Sequence, residues 1–210
     1  DDLIAVLSAA RDWQIRSNGA FNPMSGLLSA VWRQAESHDR LPSTDELSGV
    51  AASIAAPRFE VDDGTIRRTG DCTALNLNAI AKGYIVDRAC ARAMTTGDVG
   101  MVMVSAGGDL VHRGEPAVRV GIENPLRPYD NEPPLTVIDL VDAGLATSGG
   151  ARRGFRIGRD RFSHILDPTT GSPVRVQASI SVAAPDAMTA DVLTTTLGMT
   201  EPAAAVEASE

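Results

Sequence analysis

The chain has 210 residues, a formal net charge of −8 and a pI near 4.9. That length suits one large domain or two small ones, and 43% hydrophobic residues with only 4% aromatics predict an ordinary, mainly aliphatic core. The acidic balance argues against a nucleic-acid partner, which needs a basic footprint, and no run of about 18 apolar residues offers a membrane span.

In chain order, residues 3–16 read as an amphipathic helix. Leu3, Val6, Leu7, Ala10, Trp13 and Ile15 roughly follow a period of about 3.6. Asn18-Gly19 stops it, and Gly19-Ala20-Phe21-Asn22-Pro23 is a tight loop. A second helix is expected over 24–37, with Leu27, Leu28, Val31 and Trp32 on its apolar side. Ser43 and Glu46 form a capping box at the start of a third, which Pro57 ends. The pattern then changes to period 2. Phe59-Glu60-Val61 and Thr65-Ile66-Arg67 flank Asp63-Gly64, a common hairpin turn. A strand is expected at 73–77 and a helix from Ile80 to about Thr96. Met101–Val104 is an unbroken apolar run, which predicts a strand buried on both faces. Further strands are expected at 110–112, 118–122 and 136–140, the last two separated by a Pro-rich loop at 124–134. Ala146–Gly150 reads as a small-residue turn. Gly154–Ile157 and Arg161–Ile165 read as a hairpin, Ser179–Ala183 as a strand, and 186–198 as a helix with Met188, Val192, Leu193 and Leu197 on its apolar face. The tail at 203–207 looks helical. Helices followed by mostly antiparallel strands with one inserted helix define an α+β fold.

Several segments carry more polar residues and glycine than folding requires. Lys82 sits in the first turn of a helix, where a cation opposes the helix dipole unless an anion compensates. Gly107-Gly108-Asp109 is either a plain turn or a place of close backbone approach to a ligand. Thr147-Ser148-Gly149-Gly150, with Arg152-Arg153 beyond, is either a solvated turn or a phosphate site. Asp191 and Thr195 lie at i and i+4 on one helix face, which is either a routine polar stripe or a pair of hard oxygen ligands suited to Mg²⁺. His164 stands beside the turn Asp167-Pro168-Thr169-Thr170-Gly171, one of only three histidines. Cys72 and Cys90 show no metal spacing and allow one disulfide.

Taken together, these segments resemble the ApbE family of FAD:protein FMN transferases. Gly19-Ala20-Phe21-Asn22-Pro23 resembles its GAFDP loop, and Asn78–Tyr84 followed by Asp87 resembles its G-[GA]-I-A-K-G-Y…D segment. Ser105–Asp109 resembles its NxGGD turn, Ala146–Gly149 its ATSG, Ser163–Gly171 its SHILDPxTG, and Ala190–Thr195 its ADALAT. The likeness runs over roughly residues 10–200, in the family's order. It departs at Asn22 and Asn76, where the family has Asp or often has Asp, and at Asn78-Ala79 in place of Gly-Gly.

The resemblance implies a single ApbE-like domain over 1–210, with a C-terminal helix carrying a metal site. It implies a Mg²⁺-dependent transfer of FMN from FAD to a Thr or Ser hydroxyl of a target protein, releasing AMP. It assigns the metal to Ala79 (through its carbonyl), Asp191 and Thr195. FAD contacts fall on Ala20, Phe21, Asn22, Asn76, Lys82, Ser148, Gly149, His164 and Ile165. His164 is the candidate general base and Asp191 the other catalytic residue, while Asp167 shapes its turn. FAD hydrolysis to FMN and AMP, and FAD binding without turnover, are the alternatives. The family pattern also implies further segments before residue 1 and beyond residue 210, and a periplasmic or extracytoplasmic place, anchored through an upstream segment.

Overall fold

In the computed structural model, residues 2–70, 74–127, 131–149, 154–174 and 179–199 are described. They divide into two compact units. The first takes the described residues up to 77, 154–174 and Met199, and the second takes 78–149 and 179–198. The expected α+β composition is observed, and every paired strand is antiparallel.

The first unit opens with helices α1 (Asp2–Arg16), α2 (Gly26–Ser37) and α3 (Thr44–Ile54). Its hairpins are β1 (Phe59–Asp62) with β2 (Thr65–Arg68), and β8 (Gly154–Ile157) with β9 (Asp160–Ser163). Met24, Leu28, Trp32, Ile54, Phe155 and Leu166 meet in one buried cluster. The Trp32 ring stacks on Phe155 at 5.7 Å, and its Nε1 donates to the carbonyl of Gly171 at 2.9 Å. The Ser43–Glu46 capping box is present in full. At the other end of α3 the carbonyl of Ile54, one of the acceptors a helix leaves unused, is satisfied by the side-chain amides of Gln14 and Asn22. This explains why Gln14 is buried on α1 while Leu3 and Ile15, expected on its apolar side, are exposed. Helix α2 begins at Gly26 rather than at 24, because Asn22 Oδ1 accepts the N–H of Met24 and holds a turn there.

The second unit is a four-stranded sheet with helices on one face. The strand order is β10 (Ser179–Ala184), β7 (Gly144–Gly149), β4 (Asp109–Gly114), β3 (Met101–Ala106). Helix α4 (Ala81–Met94) lies over β3 and β4, α5 (Ala187–Leu197) over β7 and β10, and the two helices pack on each other. Val86, Cys90, Val111 and Ala187 fill the space beneath α4. A separate hairpin joins β5 (Val118–Ile122) to β6 (Thr136–Leu140). His112 is fully buried on β4; its Nδ1 accepts the N–H of Asp142 and its Nε2 faces the carbonyl of Pro116. That pairing ties both ring nitrogens to backbone groups, a structural arrangement.

Three expectations need correction. Strand β3 is an edge of its sheet among the described residues: Val102 and Val104 face α4, but Met103 points the other way and is 49% exposed. An apolar run fixes a strand without saying how many of its faces are covered. Residues 74–77 form no strand; the segment runs against the start of α2, with Asn76 N donating to the carbonyl of Pro23, and residue 73 lies outside the described residues. Residues 146–149 are the middle and end of β7 rather than a turn. Their small size has a packing cause further up the strand: a Cβ on Gly144 would sit 2.2 Å from the amide nitrogen of Ala187, so β7 must be slim for α5 to land on it. Gly150, Arg152, Arg153, Cys72 and the 203–207 tail lie outside the described residues.

Candidate functional site

The second unit assembles a charge cluster of two buried carboxylates around Lys82, whose side chain is 40% exposed. The β3–β4 connection has only two residues, Gly107 and Gly108, because Ala106 pairs with Asp109. Both have positive φ (+63° and +97°), the geometry of a type I′ turn, which glycine reaches without strain. This turn delivers Asp109 into the interior, where it is 1% exposed. Asp191, in the second turn of α5, is 5% exposed. Lys82 bridges them: its Nζ lies 2.7 Å from Asp109 Oδ2 and 3.3 Å from each carboxylate oxygen of Asp191. The dipole conflict at the start of α4 is thus resolved by two protein carboxylates. The polar stripe expected of Asp191 on a surface helix is instead an interior feature.

Two carboxylates share one ammonium, so the cluster lacks one positive charge when both acids are ionised. Burial, and then the negative charge of Asp109, push the Asp191 carboxyl up to about 7, against the opposing pull of Lys82. A buried acid held in this way is poised to take up a cation. The oxygen-rich donor set fits a hard divalent ion such as Mg²⁺. Thr194 and Thr195 both donate their hydroxyls to the backbone carbonyl of Asp191, at 2.8 and 3.4 Å. This leaves the lone pairs of Thr195 Oγ1 available as acceptors. Ala79 lies in the turn just before α4 and is half-buried. Among the described residues no group of three or more His, Cys, Asp or Glu side chains gathers, so a metal here would rely on few acidic ligands plus hydroxyl and carbonyl oxygens.

Ser148 and Gly149 end β7, opposite Ile180 and Ser179. A Cβ on Gly108 would sit 3.9 Å from the carbonyl oxygen of Thr147, and one on Gly107 would sit 3.7 Å from Cδ of Lys82. The glycine turn therefore lies between the lysine stem and the end of β7.

The remaining candidates are in the first unit. Phe21 is 2% exposed, and the buried Asn22 amide is fully engaged with Met24 N and Ile54 O. These side chains build the loop from within. Asn76 lies in the segment beside α2. His164 follows β9 and is half-buried, with the Nδ1 edge of its ring inaccessible. The chain around it is held firmly: Ile165 N donates to Ser163 Oγ, Val174 N to Ile165 O, and Leu166 bridges to Pro173. Asp167 accepts from Thr169 N, Thr169 Oγ1 and Thr170 Oγ1. Burial raises the Asp167 carboxyl, but these donors outweigh it and leave the group below its ordinary range. Its task is to shape the turn, as the sequence suggests.

The expected site residues thus divide. Ala20, Phe21, Asn22, Asn76, His164 and Ile165 belong to the first unit, and Ala79, Lys82, Ser148, Gly149, Asp191 and Thr195 to the second. Within the second, Lys82 and Asp191 come into direct contact. Asp109 is the participant the sequence reasoning left out. The available signal was an acid placed directly after a glycine pair that reverses the chain.

The class these features define is an α+β protein whose two-helix, antiparallel-sheet unit sets two buried aspartates around a lysine beside a glycine turn. The sequence profile of the ApbE family matches residues 1–210, and the chain belongs to that family. It is similar to the FAD:protein FMN transferase of Treponema pallidum, at 28% identity over 92% of this chain and 58% of that protein. It is likewise similar to that of Rhodobacter capsulatus, at 31% identity over 93% of this chain and 38% of the relative. Among solved structures, the ApbE protein of Thermotoga maritima superposes with a TM-score of 0.81 at 29% identity, covering 95% of this chain and 65% of that one. The flavinyl transferase ApbE of Pseudomonas stutzeri, in its apo form, gives 0.79 at 26% identity, with 99% and 64% covered. The chain therefore spans less than two thirds of the length of these relatives.

Proposed function

We propose that this chain carries the metal- and nucleotide-handling part of an FAD:protein FMN transferase. The reaction moves FMN from FAD to a Thr or Ser hydroxyl of a target protein and releases AMP. The observation that carries this reading is the pair of buried carboxylates, Asp109 and Asp191, sharing the partly exposed Lys82 ammonium, with a deficit of positive charge. The names of the relatives support the substrate and the type of transfer.

In this reading Asp191, Thr195 and the carbonyl of Ala79 would hold Mg²⁺, which would supply charge neutralisation for the phosphoryl transfer. Lys82 adds a second cation for the departing phosphate, and Asp109 keeps that ammonium in place. The Ala20–Asn22 loop, Asn76, Ser148, Gly149 and Ile165 contact FAD. His164 accepts the proton of the acceptor hydroxyl as its oxygen bonds to the FMN phosphorus. The phosphoanhydride bond to AMP breaks, and AMP leaves with the electron pair. The family's pattern favours a periplasmic or extracytoplasmic setting for this chemistry.

The test is a mass spectrum of a target domain incubated with the full-length protein, FAD and Mg²⁺. The expected product is a covalent FMN adduct together with AMP. Free FMN without an adduct would make the activity an FAD hydrolysis, and FAD recovered intact would leave a binding protein. His164→Ala is expected to retain FAD and lose transfer. Unimpaired transfer removes His164 from the base role.

A further inference from the structure

The Lys82 cluster joins two helices, so its geometry depends on what fixes α5 against α4. Helix α5 carries the proposed metal ligands Asp191 and Thr195, and α4 carries Lys82. A helix start leaves backbone N–H groups without partners inside the helix. In α5 three of these have side-chain partners. Asp186, the N-cap, accepts from Thr189 N at 2.7 Å. The amides of Ala187 and Met188 go elsewhere: each donates at 2.9 Å to a carboxylate oxygen of Asp87, Ala187 N to Oδ1 and Met188 N to Oδ2. Asp87 belongs to α4. One carboxylate therefore caps a neighbouring helix with both of its oxygens, and the cap is also a tether between the two helices.

The surroundings leave this tether little freedom. Gly83, one turn before Asp87 on α4, is buried; a Cβ there would lie 2.4 Å from the carbonyl oxygen of Ala187 and 2.6 Å from Met188 Cα. Gly144 on β7 approaches Ala187 N just as closely. Backbone thus meets backbone on both sides of the first turn of α5. Asp191 is one turn further along α5, and Lys82 adjoins Gly83. The distance from the tether to the charge cluster is about one to one and a half helical turns on each helix, roughly 5–8 Å.

We propose that Asp87 is a positioning residue for the transfer reaction: by accepting the first two amides of α5 it sets the depth at which Asp191 enters the cluster with Lys82 and Asp109. This rests on the reading of Asp191 as a metal ligand. Asp87 itself touches neither metal nor substrate. It acts on the ligand through one turn of α5, as the hydrogen-bonding shell around a metal site orients the ligands it does not replace. Shape alone would be served by any helix cap; a bidentate carboxylate from the facing helix also fixes rotation, because its two oxygens define where two successive amides must point.

The test compares Asp87→Asn with Asp186→Ala in the full-length protein. Asp186→Ala removes a capping acceptor from the same helix end and leaves the link to α4 intact, whereas Asp87→Asn replaces one of the two accepting oxygens of that link with an amide nitrogen that cannot accept. Manganese affinity is measured without FAD by electron paramagnetic resonance on the folded fraction. Asp87→Asn is expected to weaken Mn²⁺ binding about tenfold or more, with Asp87→Glu restoring part of it. Asp186→Ala is expected to lower the unfolding temperature, as loss of an N-cap does, and keep the affinity within about twofold. Equal Mn²⁺ affinity in Asp87→Asn and the natural protein overturns the proposal, as does an equal loss in both variants. A crystal structure of Asp87→Asn, or of Asp87→Ser if the first does not fold, gives a readout independent of metal. The expected result is separation of Lys82 Nζ from Asp191 beyond hydrogen-bond range; retention at 3.3 Å overturns the proposal. Absence of Mn²⁺ binding to the natural protein would defeat the proposed function instead, and the crystal comparison would still decide the positioning role.

Discussion

Gly83→Ala sets two magnitudes against each other. Alanine is favoured over glycine inside a helix by about 1 kcal/mol, so the substitution would stabilise α4 in isolation. The added Cβ would lie 2.4 Å from Ala187 O and 2.6 Å from both Ala187 C and Met188 Cα. Carbon contacts are comfortable at about 3.5–4.0 Å, so α4 and α5 must part by roughly 1 Å. All three neighbours are backbone atoms, and none can turn aside by changing rotamer. Overpacking of this kind costs about 3 kcal/mol at the upper end of the usual range. After the propensity gain, a net loss of about 2 kcal/mol remains. For a protein of this size that lowers the unfolding temperature by about 4–8 °C. Thermal unfolding followed by circular dichroism reads the effect. Gly49→Ala is the control: Gly49 is also helical, in α3, and an added Cβ there meets nothing within 4 Å. It should raise the midpoint slightly. A midpoint for Gly83→Ala that rises along with Gly49→Ala would refute the claim that the α4–α5 contact requires glycine.

Asn22→Asp should destabilise the first unit by about 1–3 kcal/mol in chemical denaturation, although the family usually has Asp there, because a carboxylate cannot donate to Ile54 O as the Asn22 amide does at 2.9 Å. An unchanged or raised stability would show that the loop re-forms around the acid. The Asp191 carboxyl is raised in the folded state, so between about pH 4 and pH 7 the unfolded chain ionises first and the second unit loses stability as pH rises. Asp191→Asn should flatten that window, and Lys82→Met should steepen it by removing the compensating ammonium; identical pH profiles for all three proteins would contradict the charge accounting.

Much of the fold is legible in the sequence, for identifiable reasons. The Ser43–Glu46 box, the Asp63-Gly64 hairpin and the 81–94 helix each rest on local chemistry, and local chemistry is what a sequence displays. The misplaced elements depend on neighbours distant in the chain. Ala146–Gly149 look like turn residues until β7 is seen pairing with β10. Met101–Val104 looks doubly buried until Met103, on the face away from α4, proves exposed. Residues 74–77 alternate like a strand but find one backbone partner in Pro23 rather than a ladder. The site divides in the same way. Lys82 stands out because its charge is wrong for its place in a helix, and that conflict is local. Asp109 needs the register of β3 with β4 to reveal that it points inward, and the burial of Asp191 needs the landing of α5 on the sheet.

The sign of the charge at Lys82 leads to a final expectation about the order in which ligands enter. A lysine in the first turn of a helix calls for an anion, and both the protein's own carboxylates and a ligand phosphate meet that call. The distances show that Asp109 and Asp191 already occupy the ammonium. With both acids ionised the cluster carries one net negative charge, and a doubly negative pyrophosphate brought to it alone would be repelled. A divalent cation would reverse the sign of the cluster and replace Lys82 as the partner of Asp191, leaving the ammonium, still held by Asp109, open to phosphate. FAD should therefore bind poorly without divalent metal and at least about tenfold more tightly with it, a coupling of about 1.4 kcal/mol or more. By reciprocity, FAD should tighten Mg²⁺ binding by the same factor. Titration calorimetry with FAD at fixed Mg²⁺, and with Mg²⁺ at fixed FAD, measures both sides of the cycle. Equal FAD affinity with and without metal would mean that the pyrophosphate does not approach this cluster, and the proposed assignment of Asp191 would fall with it.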